Sequence, residues 1–228
     1  IGVVAPASPI IGDNIEEIQN AKKIIENLGY KVKFSENLFS NSQNYSASAK
    51  EKAKDINEMF ASRGLKVFDF TKREEFNVYN AIATSEGAIQ ITLEELPETI
   101  SGQKVLILGF GRISKVLANT LKNMGALVTI SARKYSDLAW AEVYGYNSLH
   151  ISKLESSLPC YNIVYNTIPT MILDAYRLNL LNKDCLIIDL ASRPGGVDFQ
   201  YCNDKNLKVI WALSLPGKTS PVSAGRYI

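Results

Sequence analysis

The sequence predicts an α/β fold: a doubly wound parallel sheet preceded by a small, partial α/β segment. Two observations favour this class. Short apolar segments alternate with helical segments of about 10–15 residues, which is the pattern of parallel strands joined by crossover helices. One apolar segment also runs directly into a glycine-rich turn and then into an amphipathic helix.

The first part of the chain shows the alternation once. Residues 1–6 are predicted to form an apolar strand, and residues 14–28 carry isoleucine and leucine at helical spacing. Gly29 follows where a helix ends and where a positive φ is easily adopted by glycine. The other elements predicted here are a strand at residues 30–34 and a helix at residues 48–60.

The composition changes near residues 61–64, and a connecting region follows. It is predicted to contain a strand at residues 65–70 and a helix through residues 88–95, which ends before Pro97 because a residue that precedes proline disfavours helical geometry. We therefore divide the chain into a partial α/β segment at 1–61, a connecting strand and helix at 62–100, and the doubly wound domain at 101–228.

The last part repeats strand and helix in regular units. Strands are predicted at residues 104–108, 128–131, 163–166, 185–190 and 209–212, and helices at 114–124, 137–144 and 171–181. Parallel strands place their carboxyl ends at one edge, which is where open α/β sheets bind ligands.

Composition excludes several classes of function. Hydrophobic residues make up 46% of the chain and the net charge is +2, with basic residues scattered, so neither nucleic acid nor a membrane surface is expected as a partner. No apolar stretch approaches the ~20 residues that span a bilayer. The chain opens on a strand without a basic leader or an initiator methionine, so we expect no signal peptide and some missing upstream residues.

Cysteine and histidine content points to a reducing compartment. The three cysteines have no close spacing, which predicts reduced, structural thiols in a cytoplasmic protein. His150 is the single histidine, so a zinc site has nothing to be built from. We expect His150 to be structural or to lie on the adenine side of a nucleotide rather than to be catalytic.

The glycine-rich turn predicts a dinucleotide site of the Rossmann type. Gly109 permits the tight turn, and Gly111 lets a pyrophosphate approach the positive end of the following helix. Ser114 replaces the third glycine or alanine and adds only a hydroxymethyl group. The alternative is a glycine turn in a domain that has lost its ligand.

The end of the second strand favours NADP(H) over NAD(H). A site for NAD usually has an acid about 20 residues after the glycines, which accepts hydrogen bonds from the ribose. This chain has Ser131, Arg133 and Lys134 there and no acid, so a hydroxyl and a cation are available for a 2′-phosphate. The alternative is that Arg133 and Lys134 belong to a solvated turn.

Later strand ends complete the expected rim of the site. The residues expected to contact the dinucleotide are Gly109, Phe110, Gly111, Arg112 and Ile113, then Ser131, Arg133 and Lys134, then Asn166, Thr167, Ile168 and Pro169, and finally Asp189 and Ala191. Each of these segments, and residues 215–221 after the last strand, could individually be a mere turn.

From residue 63 onward the sequence resembles the dipicolinate synthase A-subunit family, whose enzymes make pyridine-2,6-dicarboxylate in sporulation. The matching motifs include NAIATSEGAI at 80–89, GFGR at 109–112, NTIP at 166–169, DLASRPGG at 189–196 and LPGK at 215–218. The departures are Ser114, Ala83 where the family more often has proline, and an end at Ile228, before a closing helix.

The resemblance implies an NADP-linked oxidation of a dihydro- or hydroxytetrahydro-dipicolinate, with the dipicolinate synthase B-subunit as a partner. Arg193, Lys218 and hydroxyls near Thr84 and Ser85 are then expected to hold the dicarboxylate substrate, and Glu86 is the candidate proton acceptor. Glu86 has the alternative of being a solvated glutamate in the first turn of a helix. A homo-oligomer is left open.

Residues 1–61 resemble instead the start of LD-carboxypeptidases, through IGVVAPASP at 1–9 and AKDINEMF at 53–60. The resemblance ends before the position of that family's nucleophilic serine, and acyl transfer needs nucleophile, base and oxyanion donors together. We therefore interpret the chain as a fusion of two fragments without peptidase activity. A non-catalytic dinucleotide-binding fragment or scaffold is the alternative to the oxidoreductase.

Overall fold

The structure is a computed structural model that describes residues 2–3, 13–39, 51, 54–56, 58 and 73–227. Residues 1–69 and 70–228 form two compact units. The strand predicted at 65–70 and the change of composition at 61–64 lie outside the described residues. The three-part division of the chain stays a prediction.

The N-terminal unit contains a parallel β-α-β arrangement. Its elements are β1 (Gly2–Val3), α1 (Asp13–Asn27) and β2 (Lys33–Phe34), with the two strands paired in parallel. Gly29 adopts a φ of +88°, as expected for the residue that ends α1. Residues 51, 54–56 and 58 are helical. Asp55 is buried and accepts a hydrogen bond of 2.8 Å from the Asn37 side chain.

Within residues 73–227, six parallel strands form one sheet. They are β3 (Lys104–Leu108), β4 (Leu127–Ala132), β5 (Asn147–His150), β6 (Ile163–Asn166), β7 (Leu186–Asp189) and β8 (Val209–Trp211). The strand order is β5-β4-β3-β6-β7-β8, so the chain reverses its direction of winding between β3 and β6. The predicted fold, a doubly wound parallel sheet of the Rossmann type, is confirmed.

Helices cover both faces of this sheet. They are α2 (Glu74–Glu95), α3 (Arg112–Asn123), α4 (Tyr135–Val143), α5 (Leu154–Ser157), α6 (Ala175–Leu178), α7 (Phe199–Asp204), α8 (Leu215–Thr219) and α9 (Pro221–Tyr227). Two short 3₁₀ turns, Ile151–Lys153 and Leu158–Cys160, flank α5. No helix of the described residues has both the length and the apolar character needed to cross a bilayer.

One local prediction was wrong, and two segments have a structure that was not predicted. The helix predicted at 171–181 shrinks to α6, because Leu173 forms a β-bridge with Val197 and its backbone N–H donates to the carbonyl of Gly196. The segment at 215–221, for which a turn had been left open, is helical over α8 and the start of α9. The segment that forms β5 was not predicted as a strand, since it is short and only half-buried.

Helix α2 fixes one face of the site because it packs closely on its neighbours. A Cβ at Gly87 would lie 2.9 Å from Oγ1 of Thr219, so α8 approaches α2 through the missing side chain. Thr92 of α2 shares a short hydrogen bond with the hydroxyl of Tyr165, which is fully buried under the helix. Ser85 donates to the carbonyl of Ile113 at 3.3 Å and so joins α2 to α3.

Candidate functional site

The glycine-rich turn lies between β3 and α3 at the carboxyl edge of the sheet. Gly109 has a φ of +95°, and a Cβ there would lie 2.6 Å from Oγ1 of Thr167. The turn therefore requires glycine at this position for both conformation and space. Gly111 is the N-cap residue of α3, and a Cβ there would meet no atom within 4 Å. Gly111 therefore leaves open space at the N-terminus of α3, where the first backbone N–H groups of a helix favour an anion.

Ser114 shows how the turn accommodates a serine in place of the third glycine. Its side chain is fully buried, and its hydroxyl is 2.9 Å from Oγ1 of Thr167. Thr167 in turn donates to the carbonyl of Leu108 at 2.8 Å. The added hydroxyl is thus satisfied by the end of β6, and it ties the helix to the adjoining strand ends.

A larger cleft of about 570 Å³ opens beside the turn, at the point where the strand order reverses. Its apolar lining is Phe110, Ala132, Ile151, Ile168, Pro169 and Ile172, and its charged lining is Arg133, Lys134, Asp137 and Arg177. An apolar floor with a few charged groups at its margin is the usual composition of a cofactor site. Asp137 is an acid in this lining that the sequence alone did not single out.

The cations at the end of β4 differ from Ser131 in their accessibility. Arg133 and Lys134 are exposed at the mouth of the larger cleft. Ser131 is fully buried, and among the described residues its hydroxyl has no hydrogen-bond partner. The two exposed cations, rather than Ser131, present polar groups to the cleft. The role of each in binding stays a prediction.

His150 is held by its neighbours beside the same strand ends. Its ring stacks on Tyr135 at 4.8 Å between centroids, and one ring nitrogen is 3.1 Å from the carbonyl oxygen of Arg133. The other ring nitrogen is 2.7 Å from the hydroxyl of Ser152. Both nitrogens are therefore engaged, and the expectation that His150 is structural or lies on the adenine side of a nucleotide stays a prediction.

Arg177 forms the far wall of the larger cleft and is fixed in place. It donates two hydrogen bonds to one oxygen of Glu155, at 2.9 and 2.7 Å, and a third to the carbonyl of Ile172 at 3.0 Å. The hydrogen bonding from Arg177 lowers the pKa of the Glu155 carboxyl. Arg177 is therefore a paired cation. For Arg133 and Lys134, in contrast, no ion pair is found within the described residues.

A smaller cleft of about 200 Å³ lies on the other side of the turn, between α2 and the start of α3. Its lining is Asn77, Asn80, Ala81, Gly111, Arg112, Ile113 and Thr167. Arg112 donates to both carboxylate oxygens of Glu74, at 2.7 and 2.6 Å, which lowers the pKa of Glu74. The cleft therefore presents amide and hydroxyl groups beside a guanidinium that is already paired.

Comparison with known proteins identifies the relatives of this fold. The curated sequence of the dipicolinate synthase A-subunit from Bacillus subtilis is 36% identical over 163 residues, which is 72% of this chain. The chain is a homologue of the dipicolinate synthase A-subunit. Crystal structures of that subunit from Bacillus halodurans and Bacillus subtilis match with TM-scores of 0.72 and 0.70, at 31% and 33% identity, over 79% of this chain.

The homology covers only part of each relative. The chain spans 55% of the curated dipicolinate synthase A-subunit, and 61% and 59% of the two chains of known structure. Residues 1–70 match a different family, the LD-carboxypeptidase N-terminal domain. Both resemblances seen in the sequence are thus confirmed.

The distinctive DLASRPGG motif, which carried the resemblance in the sequence, is organised by a buried carboxylate. Asp189 is fully buried and accepts hydrogen bonds from the Asn166 side chain at 2.8 Å, from Ala191 N–H at 3.0 Å and from Gly196 N–H at 2.9 Å. Asn166 also bonds both backbone groups of Ile168. Asp189 and Asn166 therefore shape the two loops, and their side chains are already used for that purpose.

The residues expected on the substrate side lie on α2, on the loop after β7 and on α8. Thr84 and Ser85 are buried in α2 and donate to carbonyls one turn back, at 2.8 and 2.7 Å. Glu86 is exposed in the middle of α2, so it is not the first-turn glutamate of the alternative interpretation. Arg193 lies over the ring of Trp211, 5.7 Å from its centroid, and Lys218 is exposed on α8. None of them lines the two clefts, and their roles stay predictions.

Two polar residues of the smaller cleft, Asn77 and Asn80, were not predicted from the sequence, whereas Arg112 and Thr167 were among the residues expected to contact the dinucleotide. Asn80 precedes Thr84 by one helical turn, and Thr84 donates to the backbone carbonyl of Asn80. The signal available in the sequence was the spacing of Asn77 and Asn80, which places two amides on one side of a helix. The spacing alone does not show which part of the molecule this side of the helix faces. That depends on the packing of α2 against α3.

Proposed function

We propose that the chain is an NADP(H)-dependent oxidoreductase that forms dipicolinate from a dihydro- or hydroxytetrahydro-dipicolinate. The observation that carries the proposal is the open glycine turn, which adjoins a cleft whose mouth presents Arg133 and Lys134. Homology to the dipicolinate synthase A-subunit supports the reaction class and the dicarboxylate product. As the chain covers about half of that relative, the whole reaction belongs to this proposal.

The residues present fit an NADP dinucleotide. Gly111 leaves room for the pyrophosphate at the N-terminus of α3, and the guanidinium of Arg133 with the ammonium of Lys134 would hold the 2′-phosphate. When bound in its oxidised form, the cofactor would accept the hydride that the substrate loses. Asp137 also lines the cleft and would favour the free ribose of NAD, in opposition to the two cations.

The substrate and partner follow from the same proposal. Arg193 and Lys218 carry exposed cations that would bind the two carboxylates, and Glu86 is the proposed proton acceptor. The dipicolinate synthase B-subunit is the proposed partner, and the cytoplasm is the proposed location. Glu86→Gln is expected to lower dipicolinate formation by more than about tenfold if the carboxylate takes the proton, the typical size of a general-base effect being about 10²–10⁴.

Two measurements test the proposal. Fluorescence titration should show that the full chain binds NADPH at least about tenfold more tightly than NADH, which corresponds to roughly 1.4 kcal/mol. Dipicolinate formation, followed by ultraviolet absorbance in the presence of the B-subunit, then tests the reaction. If neither cofactor binds, the proposal fails, and equal binding of both removes the role given to Arg133.

A non-catalytic dinucleotide-binding protein is the second candidate. The observation that favours it is the lining of the smaller cleft, whose described side chains offer amides, a hydroxyl and a paired guanidinium but no carboxylate or imidazole to move a proton. This candidate predicts tight NADPH binding together with no dipicolinate formation, whether or not the B-subunit is present. The oxidoreductase predicts both activities.

A further inference from the structure

The two clefts are divided by the glycine turn. Gly109 borders the larger cleft and Gly111 the smaller one. At the end of β6, Ile168 lines the larger cleft and Thr167 lines the smaller one. A dinucleotide whose pyrophosphate lies at the turn must therefore send one nucleoside to each side. The larger cleft has the apolar floor and the cations that suit adenosine with a 2′-phosphate. The other half of the cofactor is left for the smaller cleft.

The size of the smaller cleft suits one ring. Its volume of about 200 Å³ leaves room for a single six-membered ring with a carboxamide. Ala81 and Ile113 supply an apolar side for the ring.

The charge and hydrogen-bonding capacity of the lining indicate a neutral ligand. Arg112 is committed to Glu74 by two hydrogen bonds, so it is not an unpaired cation for a carboxylate. Asn80 is half-buried, and within the described part of the chain its side-chain amide makes no hydrogen bond. An amide offers one acceptor and two donors, which is the complement of another primary amide.

We propose that the smaller cleft binds the nicotinamide ring and that Asn80 hydrogen-bonds its carboxamide. The inference rests on the proposed function and adds to it a residue that recognises the reactive end of the cofactor. Asn80 is a positioning residue in this assignment. It orients the ring against the turn and takes no part in hydride transfer itself.

Calorimetric titration of the full chain tests the inference with two ligands. NADPH spans both clefts, whereas adenosine 2′,5′-bisphosphate occupies the larger cleft alone. Asn80→Leu is expected to raise the Kd of NADPH about fivefold to tenfold, the effect of one lost neutral hydrogen bond, and to change the Kd of the bisphosphate less than about twofold. Gln90→Leu is the matched control, because Gln90 is an exposed amide on the same helix that bonds Glu94.

The remaining outcomes of the titrations either overturn the inference or overturn the proposed function as well. Unchanged NADPH binding by Asn80→Leu, or equal weakening of both ligands, overturns the inference and leaves the proposed function standing. A wild-type chain that binds neither ligand overturns both. If Asn80→Leu does not fold, the wild-type chain is titrated with NADP⁺ and with its 3-acetylpyridine analogue, in which a methyl group replaces the carboxamide nitrogen. Weaker binding of the analogue, by about fivefold, supports the inference, and equal binding overturns it.

Discussion

In the proposed function, individual side chains of the larger cleft select the cofactor. Arg133 and Lys134 are exposed at its mouth, and neither forms an ion pair with another described residue, so their charges are available to a phosphate. A guanidinium binds a phosphate through charge-assisted hydrogen bonds that are stronger than neutral ones. Asp137, close by, would repel the same phosphate. Under the proposed function, the balance of these three charges would decide between NADP(H) and NAD(H).

Arg133→Ala is expected to weaken NADPH binding about tenfold and to leave NADH binding within about twofold, because only the first ligand carries the 2′-phosphate. Fluorescence titration measures both affinities, and the effect should diminish at high salt. Arg226→Ala, which removes an exposed arginine on α9, is the control. Equal losses for the two cofactors would contradict the assignment.

The cysteines make a second prediction at this scale. Burial raises the pKa of Cys185 to about 12 and that of Cys202 to about 11, whereas Cys160 is exposed. Since the thiolate is the reactive form, Ellman's reagent at pH 8 should label Cys160 alone in the native protein and all three cysteines in urea. Rapid labelling of two or three thiols without denaturant would show that the burial is wrong.

The same shifts give a pH dependence with a definite sign. In the folded state the two buried thiols keep their protons above the ordinary thiol pKa of 9.0, at which the unfolded chain loses them. Their contribution to stability is therefore complete below about pH 9 and falls as the pH rises, by up to about 1.4 kcal/mol per pH unit for each thiol. Urea unfolding of the wild-type chain and of Cys185→Ala between pH 8 and about pH 10 measures the difference.

At the scale of elements, the two glycines of the turn are expected to have different roles. Gly109 is needed for stability, and Gly111 is needed for NADPH binding. Alanine at position 109 would combine a φ of +95° with a Cβ 2.6 Å from Thr167, so Gly109→Ala should lose about 1–3 kcal/mol of stability. Alanine at position 111 meets no atom within 4 Å and keeps an ordinary φ of −85°. Gly111→Ala should therefore remain within about 1 kcal/mol of wild type yet weaken NADPH binding at least about tenfold, because its methyl group enters the space left for the pyrophosphate.

Thermal denaturation and NADPH titration of the two variants distinguish these roles. A Gly111→Ala protein that binds NADPH like wild type would show that the pyrophosphate does not lie against Gly111. Absence of NADPH binding by both the wild type and the variant would favour the alternative interpretation of the motif as a structural turn alone.

The elements also show how far the sequence could be interpreted. The predicted strands at 104–108 and 163–166 coincide with β3 and β6, since central parallel strands are buried on both faces and their continuous apolar runs are easily recognised. The helix predicted at 171–181 failed because Leu173 pairs with the distant Val197, a contact that no local pattern contains. Asn80 was missed for a similar reason. The sequence does not show which helices pack against each face of α2, so it does not show which face borders a cleft.

At the scale of the whole molecule, the chain joins two units with different relatives. Residues 1–70 match the LD-carboxypeptidase N-terminal domain, whereas the homology to the dipicolinate synthase A-subunit covers 72% of the chain. The larger and smaller clefts are both formed by residues after Phe70, so the proposed cofactor site belongs to one unit. Function should accordingly follow the second relative rather than the first.

A serine-reactive fluorophosphonate probe tests this assignment on the full chain, and we expect it to label nothing. Acyl transfer needs a nucleophile, a general base and oxyanion donors brought together. The single histidine, His150, belongs to the C-terminal unit. Residues 1–70 therefore contain no imidazole that could act as the base of a serine nucleophile. An active LD-carboxypeptidase, labelled in parallel, is the control, and a labelled serine in residues 1–70 would show that the N-terminal unit has retained a reactive centre.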